Sequence, residues 1–119
     1  MKSAGIALAI FVLTGALVAL NAYRIDRTIQ SISREVESVT EDDAAARSEE
    51  IRKRFREEEK WIALTVSHED LTGIESDFDE WIGAILARNE SEARIAKERL
   101  IGSLEHLRRL TTLNADSIF

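Results

Sequence analysis

Between Ala4 and Tyr23 the chain reads AGIALAIFVLTGALVALNAY, twenty residues without a charge, in which Thr14 and Asn21 are the polar side chains before the closing tyrosine. As a helix rising about 1.5 Å per residue it would be roughly 30 Å long, the thickness of a bilayer's hydrocarbon core. Tyr23 and Arg24 follow at once, an aromatic and a cation of the kind that settle among headgroups. This stretch is predicted to be a membrane-spanning helix. Every acidic residue lies beyond it, from Asp26 onward, and that remainder is too charged to share a lipid environment. The chain divides accordingly into a short tail (1–3), the span (4–23), a juxtamembrane extension of the same helix (24–39), a helical bundle (40–113) and a C-terminal tail (114–119).

A cleaved signal peptide also begins with a cation and an apolar run, and Lys2 supplies the cation. Cleavage after Ala22 would leave Leu20 three residues upstream, and cleavage after Ala19 would leave Leu17 there; small residues are wanted at that position. The apolar run is also long for a signal peptide, so the span is expected to stay attached as a single pass. Arg24, Arg27 and Arg34 beyond the span outnumber Lys2 before it, a count that slightly favours an internal domain.

The formal charge of −6 excludes a nucleic-acid binder, which needs clustered positive charge. It also argues against general adhesion to anionic lipid, leaving Arg24, Arg27 and Arg34 for local headgroup contacts. With no cysteine there is no disulfide framework, thiol nucleophile or cysteine metal site. With no proline, helix is expected throughout.

Ile25, Ile29, Ile32, Val36 and Val39 repeat at spacings of four, three, four and three. The register runs back through Ala22, Val18, Gly15, Phe11 and Leu8, which predicts one helix from near Ala4 to Val39, about 54 Å long. Something must cover the stripe Ile25, Ile29, Ile32 and Val36. The chain's own later helices would do so by ordinary amphipathic packing. A second copy, in a coiled coil, or another membrane protein would do so as a partner. Gly5 with Ala9, and Gly15 with Ala19, are small pairs four apart that permit close approach of a partner helix in lipid.

Three further helices are predicted near 41–66, 68–88 and 90–112, each behind a capping residue and an acidic first turn: Thr40-Glu-Asp-Asp43, Ser67-His-Glu-Asp70 and Asn89-Glu-Ser-Glu92. Tight turns between them imply antiparallel neighbours. The second helix places Ile51, Phe55 and Ile62 on one face, opposite a lattice of Glu49, Glu50, Lys53 and Arg54 expected to be solvated. Glu58 interrupts its apolar stripe and is expected at the rim, with a buried pair to an arginine as the alternative. Gly83 and Gly102 fall inside helices at about 1 kcal/mol each relative to alanine, and a close crossing of the third and fourth helices would compensate.

No residue pattern specifies catalysis, and no catalytic residue, cofactor or metal site is expected. His68, Asp70 and His106 could be imagined around a metal, but the spacing of known zinc motifs is missing. Asp77, Asp79 and Glu80 lack the loop geometry of a calcium hand and read as a solvated face. No phosphate loop or nucleophile elbow occurs. Trp61 and Trp81 are either core residues or, with the isoleucine stripe, candidates for an interaction surface.

The charged helix leading to Trp61, then His68-x-Asp70-Leu71 with Ile74, the Leu100 to Leu107 stretch and the closing Ser117-Ile118-Phe119 resemble a family of short bacterial single-pass membrane proteins catalogued only as a domain of unknown function. The resemblance implies an N-terminal anchor with the helical domain on the outer side of the cytoplasmic membrane, and it implies no activity, substrate or cofactor. An all-α protein is expected, a transmembrane helix continuing into a small antiparallel bundle of about three further helices. Its expected role is that of a non-enzymatic interaction or scaffolding module for itself or another membrane protein, with an external small-ligand or metal-sensing domain as the alternative.

Overall fold

A chain without proline, patterned at intervals of three and four, folds over its described residues into four helices: α1 (Lys2–Ser38), α2 (Ala44–Ile62), α3 (His68–Leu86) and α4 (Glu90–Ile118). The computed structural model describes residues 2–118, with side chains described as far as Leu113. Each helix packs on its neighbours in a ring, α1 on α2, α2 on α3, α3 on α4 and α4 on α1, and among the described residues the Cα atoms of the diagonal pairs stay more than 8 Å apart. Cross-helix bonds show the directions. Along α1 and α2, Ser38 meets Arg47, Glu35 meets Arg54 and Arg24 meets Glu58. Along α1 and α4, the Val39 carbonyl meets Lys97 and Asp26 meets Arg108. The bundle is therefore up-down-up-down, the arrangement that short connections favour. It extends 68 × 20 × 17 Å because the first half of α1 projects from one end.

The isoleucine stripe is the spine of the core. Ile29, Ile32 and Val36 are wholly buried, with Ile51 and Phe55 from α2, Phe78 and Trp81 from α3, and Leu100, Leu104 and Leu107 from α4 in the same cluster. The Phe55 and Phe78 rings stand 5.4 Å apart and tilted, and Trp81 continues the row at 6.4 Å. At about 1.5–3 kcal/mol for each large apolar side chain removed from water, this cluster is the main source of the bundle's stability. The chain covers the juxtamembrane stripe with its own helices.

Helix ends follow the sequence at two of three starts. Ser67 Oγ accepts from the Asp70 amide at 3.2 Å, and Asn89 Oδ1 accepts from the Glu92 amide at 3.1 Å. Thr40 does not cap α2. The Asp43 carboxylate instead accepts from the Thr40 amide and hydroxyl, a local turn, and the helix begins at Ala44. The last carbonyls of α1 are satisfied from other helices: Lys97 Nζ donates to Glu37 and Val39 oxygens at 3.0 and 3.2 Å, and Arg47 donates to the Ser38 oxygen. Cations at a helix C-terminus also suit its dipole. Arg88, at φ 57°, turns the chain from α3 to α4 in a left-handed conformation more usual for glycine.

Three expectations need correction. In the α2 lattice Glu49, Glu50 and Lys53 are exposed as expected, but Arg54 is partly buried and reaches Glu35 on α1. Asp79 and Glu80 lie exposed as expected while pairing with Arg52 and Arg99, and Asp77 is partly covered and accepts from Ser103. Gly83 and Gly102 do not mark a close crossing, since a Cβ at either would meet nothing within 4 Å. Finally, α4 continues to Ile118, through most of the segment expected as a tail, and Phe119 lies outside the described residues.

Candidate functional site

The first feature is the apolar half of α1. Ile6, Leu8, Ile10, Phe11, Val12, Leu13, Leu17 and Leu20 are each 59–71 % exposed, an apolar sleeve left open over most of its surface. Among the described residues α1 is the one helix long and apolar enough to cross a membrane. Thr14, the hydroxyl within this sleeve, donates to the Ile10 carbonyl at 2.8 Å and so presents no unsatisfied donor. Cover reaches the sleeve on one face alone: Gly15 and Ala22 are buried and Val18 half-buried, in register with Ile25.

Where the sleeve meets the bundle, aromatic and cationic side chains gather. Arg24 lies 5.2 Å from the Trp61 ring centre and bonds Glu58 at 3.1 Å, while Lys60 stands 5.7 Å over the same ring. Glu58 thus sits at the rim, paired with a cation from α1 that is itself half exposed. Arg27 stacks on Tyr23 and donates to its hydroxyl at 3.2 Å. These contacts form because α2 runs back along α1 and ends beside the start of the charged segment.

Between α2 and α3 lies an ionic ladder. Glu75 Oε2 stands 3.3 Å from Arg56 and 3.8 Å from Arg52, and Arg52 reaches Asp79 at 2.5 Å. Glu59 faces Glu75 in this ladder. Burial, the hydrogen bond to Glu75 and that group's negative charge push the Glu59 carboxyl up to about 7, with Arg56 opposing. Glu59 Oε1 and Glu75 Oε1 are both buried without a donor when both groups are ionised, so one shared proton satisfies the pair. On the α1–α4 face the Asp26 hydrogen bond raises the Arg108 guanidinium further above its already high value.

An open groove of about 570 Å³ runs along the α3–α4 contact, with Asp70, Asp77, Arg99 and His106 on its walls and Gly73 and Gly102 leaving it unfilled. It brings together Asp70 and His106, but His68 is not among its walls. Among the described residues no three histidine or acidic side chains are placed to hold a metal ion.

The residues proposed from sequence as an interaction surface separate cleanly. Ile25, Ile29, Ile32, Val36 and Trp81 are 0–2 % exposed and belong to the chain's own core, so in this fold they are not free for a partner. Trp61 is the one at the surface, 42 % exposed. Sequence reasoning missed Leu64 and Leu113, 71 % and 63 % exposed at the same end as Trp61. An apolar residue in a turn behind Trp61 was the available signal for the first. Comparison of the chain with family models, curated proteins and solved structures finds no match.

Proposed function

We propose that this protein is a single-pass, membrane-anchored helical module that acts by interaction, holding a second copy or another membrane protein beside it in the bilayer. The observation that supports this most is the junction of two unlike surfaces on one unbroken helix: a bundle with a complete core of its own, and a bare apolar sleeve. A bundle already satisfied needs no partner to fold, so the sleeve and the outer faces are what remain for recognition. Within the sleeve the small residues Gly5, Ala9, Ala16 and Ala19 let another helix approach closely, where packing rather than the hydrophobic effect drives association. The resemblance to short bacterial single-pass proteins supports a place in the cytoplasmic membrane with the bundle outside. The role is non-enzymatic and uses no cofactor.

Site-specific photocrosslinking from the sleeve tests it. A photoreactive residue at Val12 in native membranes is expected to trap a defined protein, self or other, and the same residue at Leu86 is expected to trap none. Val12 adducts with lipid alone would remove the interaction reading and leave the anchor. The groove with Asp70, Arg99 and His106 favours a second reading, an external domain sensing a small ligand. A thermal shift of the full chain in detergent with small carboxylic acids, lost in Arg99→Ala, is its expected sign; a flat response would dismiss it.

A further inference from the structure

Beyond the sleeve, the large apolar side chains left open fall into two groups at opposite ends of the bundle: Trp61, Leu64 and Leu113 at the sleeve end, and Leu86 and Ile95 at the other. The first group shares a level. Trp61 stacks on Arg24, at the foot of the sleeve, and α2 points toward the sleeve, so Leu64 lies at or past that level. Arg108 bonds Asp26, and Leu113, five residues further along α4, stands about 7.5 Å closer to the sleeve. Tyr23 and Arg27 occupy the same ring around α1.

We propose that this end of the bundle is itself a membrane-binding surface, in which Trp61, Leu64 and Leu113 enter the boundary between headgroups and acyl chains around α1. The bundle then rests on the bilayer rather than being held away from it on a stalk. The inference rests on the reading of α1 as a membrane span.

Three physical features support the fit. Tryptophan and tyrosine favour this boundary because one part of the ring system is apolar and another bonds water or headgroups. Arg24 and Lys60, stacked on Trp61, can extend their charged ends to lipid phosphates while their stems stay on the ring. The third feature is the backbone. A turn can enter a poorly hydrated layer only if its amides are satisfied internally. In the α2–α3 turn the amides of Ala63, Leu64, Thr65 and Val66 all donate to carbonyls of residues 59–62. On α4 the hydroxyls of Thr111 and Thr112 donate to the Leu107 and Arg108 carbonyls. Exposed Glu69, in the first turn of α3, limits the depth to the boundary, and it makes apolar insertion rather than anionic lipid the driving force.

The opposite end carries the contrast. Leu86 and Ile95 are as exposed as the first group, but Glu90 and Glu92 open the helix between them and Glu41 and Asp42 lie in the nearby α1–α2 connection. Because the chain has no cysteine, single thiols can carry a spin label at Leu13, Leu64 or Leu86 in the full chain. In phosphatidylcholine vesicles the Leu64→Cys label is expected to collide readily with oxygen. Its collisions with an aqueous nickel chelate should be several-fold fewer than those of Leu86→Cys, approaching the shielding of Leu13→Cys. A Leu64 label as open to nickel as the Leu86 label, with Leu13 shielded, would overturn the surface and leave the span intact. A nickel-accessible Leu13 label would overturn both. As a label-free measurement, Trp61 in a Trp81→Phe chain should be quenched by lipids brominated high on the acyl chain; quenching by aqueous acrylamide alone would count against insertion.

Discussion

The two halves of α1 share one heptad register and meet opposite fates. Ile25, Ile29, Ile32 and Val36 are at most 2 % exposed, whereas Phe11 and Leu8, in the same register, are 71 % and 63 % exposed. The stripe says which face must be covered; the other faces decide what can cover it. Around Ile29 stand Asp26, Arg27 and Gln30, which keep contact with water, so only protein can shield the stripe there. Around Phe11 stand Ile10, Val12, Leu13 and Ala9, apolar on every side, and lipid suffices. One helix thus carries two solvents' worth of instruction, and the change falls between Ala22 and Arg24.

The largest test of this contrast is truncation in each half. Ile29→Ala opens a cavity in the packed core and should lower bundle stability by about 2–5 kcal/mol. Leu13→Ala, in the sleeve, should change it by no more than about 0.5 kcal/mol. Denaturant unfolding of the full chain in mild detergent, followed by Trp81 emission, measures both. Comparable losses would mean that the sleeve also contributes to the folded core and that the division of α1 is wrong.

A second test acts on the cover rather than the stripe. The α2 helix is held to α3 by the ladder in which Glu59 keeps its proton up to about pH 7 while facing Glu75, Arg56, Arg52 and Asp79. Unfolded, the same carboxyl loses its proton near its ordinary value of 4.5, so between these values the folded chain binds more protons than the unfolded. The pair's contribution is complete below the lower value and is lost as pH rises through the upper one. Glu59→Gln keeps a neutral donor at every pH. It should flatten this dependence and make the chain more stable than wild type by about 1–2 kcal/mol above neutrality, after allowance for solvent screening. Melting temperatures at pH 5 and pH 8 decide the matter. Parallel pH trends in the two proteins would show that Glu59 is ionised in the fold, and the position of α1 in its detergent belt should not respond at all.

Four helices, their approximate bounds and the covered stripe were legible in the sequence because periodicity and capping are local signals. Ser67 and Asn89 bond where their spacing said they would. Thr40 misled because Asp43 competes for its amide and hydroxyl, a choice made by geometry over three residues. The lateral pairs of α2 were not legible. Four-residue spacing matched Glu50 with Arg54, but the register between helices gives Arg54 to Glu35 and Ser31, nineteen and twenty-three residues away in sequence. Glu59 was missed for the same reason, since its perturbation needs Glu75 from the next helix. Of the candidate interaction residues, sequence spacing found the stripe but could not say which molecule covers it. Nor could it show that Trp61, Leu64 and Leu113 meet at one end, because that depends on where α2 and α4 stop relative to α1.

The smallest effect concerns glycine in the covering helices. Gly83 lies inside α3 in ordinary helical backbone, and an added methyl would enter open space. Packing therefore gives no reason for glycine there, while the unfolded chain gains freedom from it. Gly83→Ala should raise stability by about 1 kcal/mol and leave every membrane-depth reading of α1 unchanged. Gly102→Ala should gain as much, but it also narrows the α3–α4 groove, so comparing the pair separates a backbone effect from a role for that groove. Equal stabilisation with unaltered partner capture would place recognition on the sleeve. Equal stabilisation with capture lost only in Gly102→Ala would place it in the groove, and would move the functional surface from the apolar sleeve to the bundle.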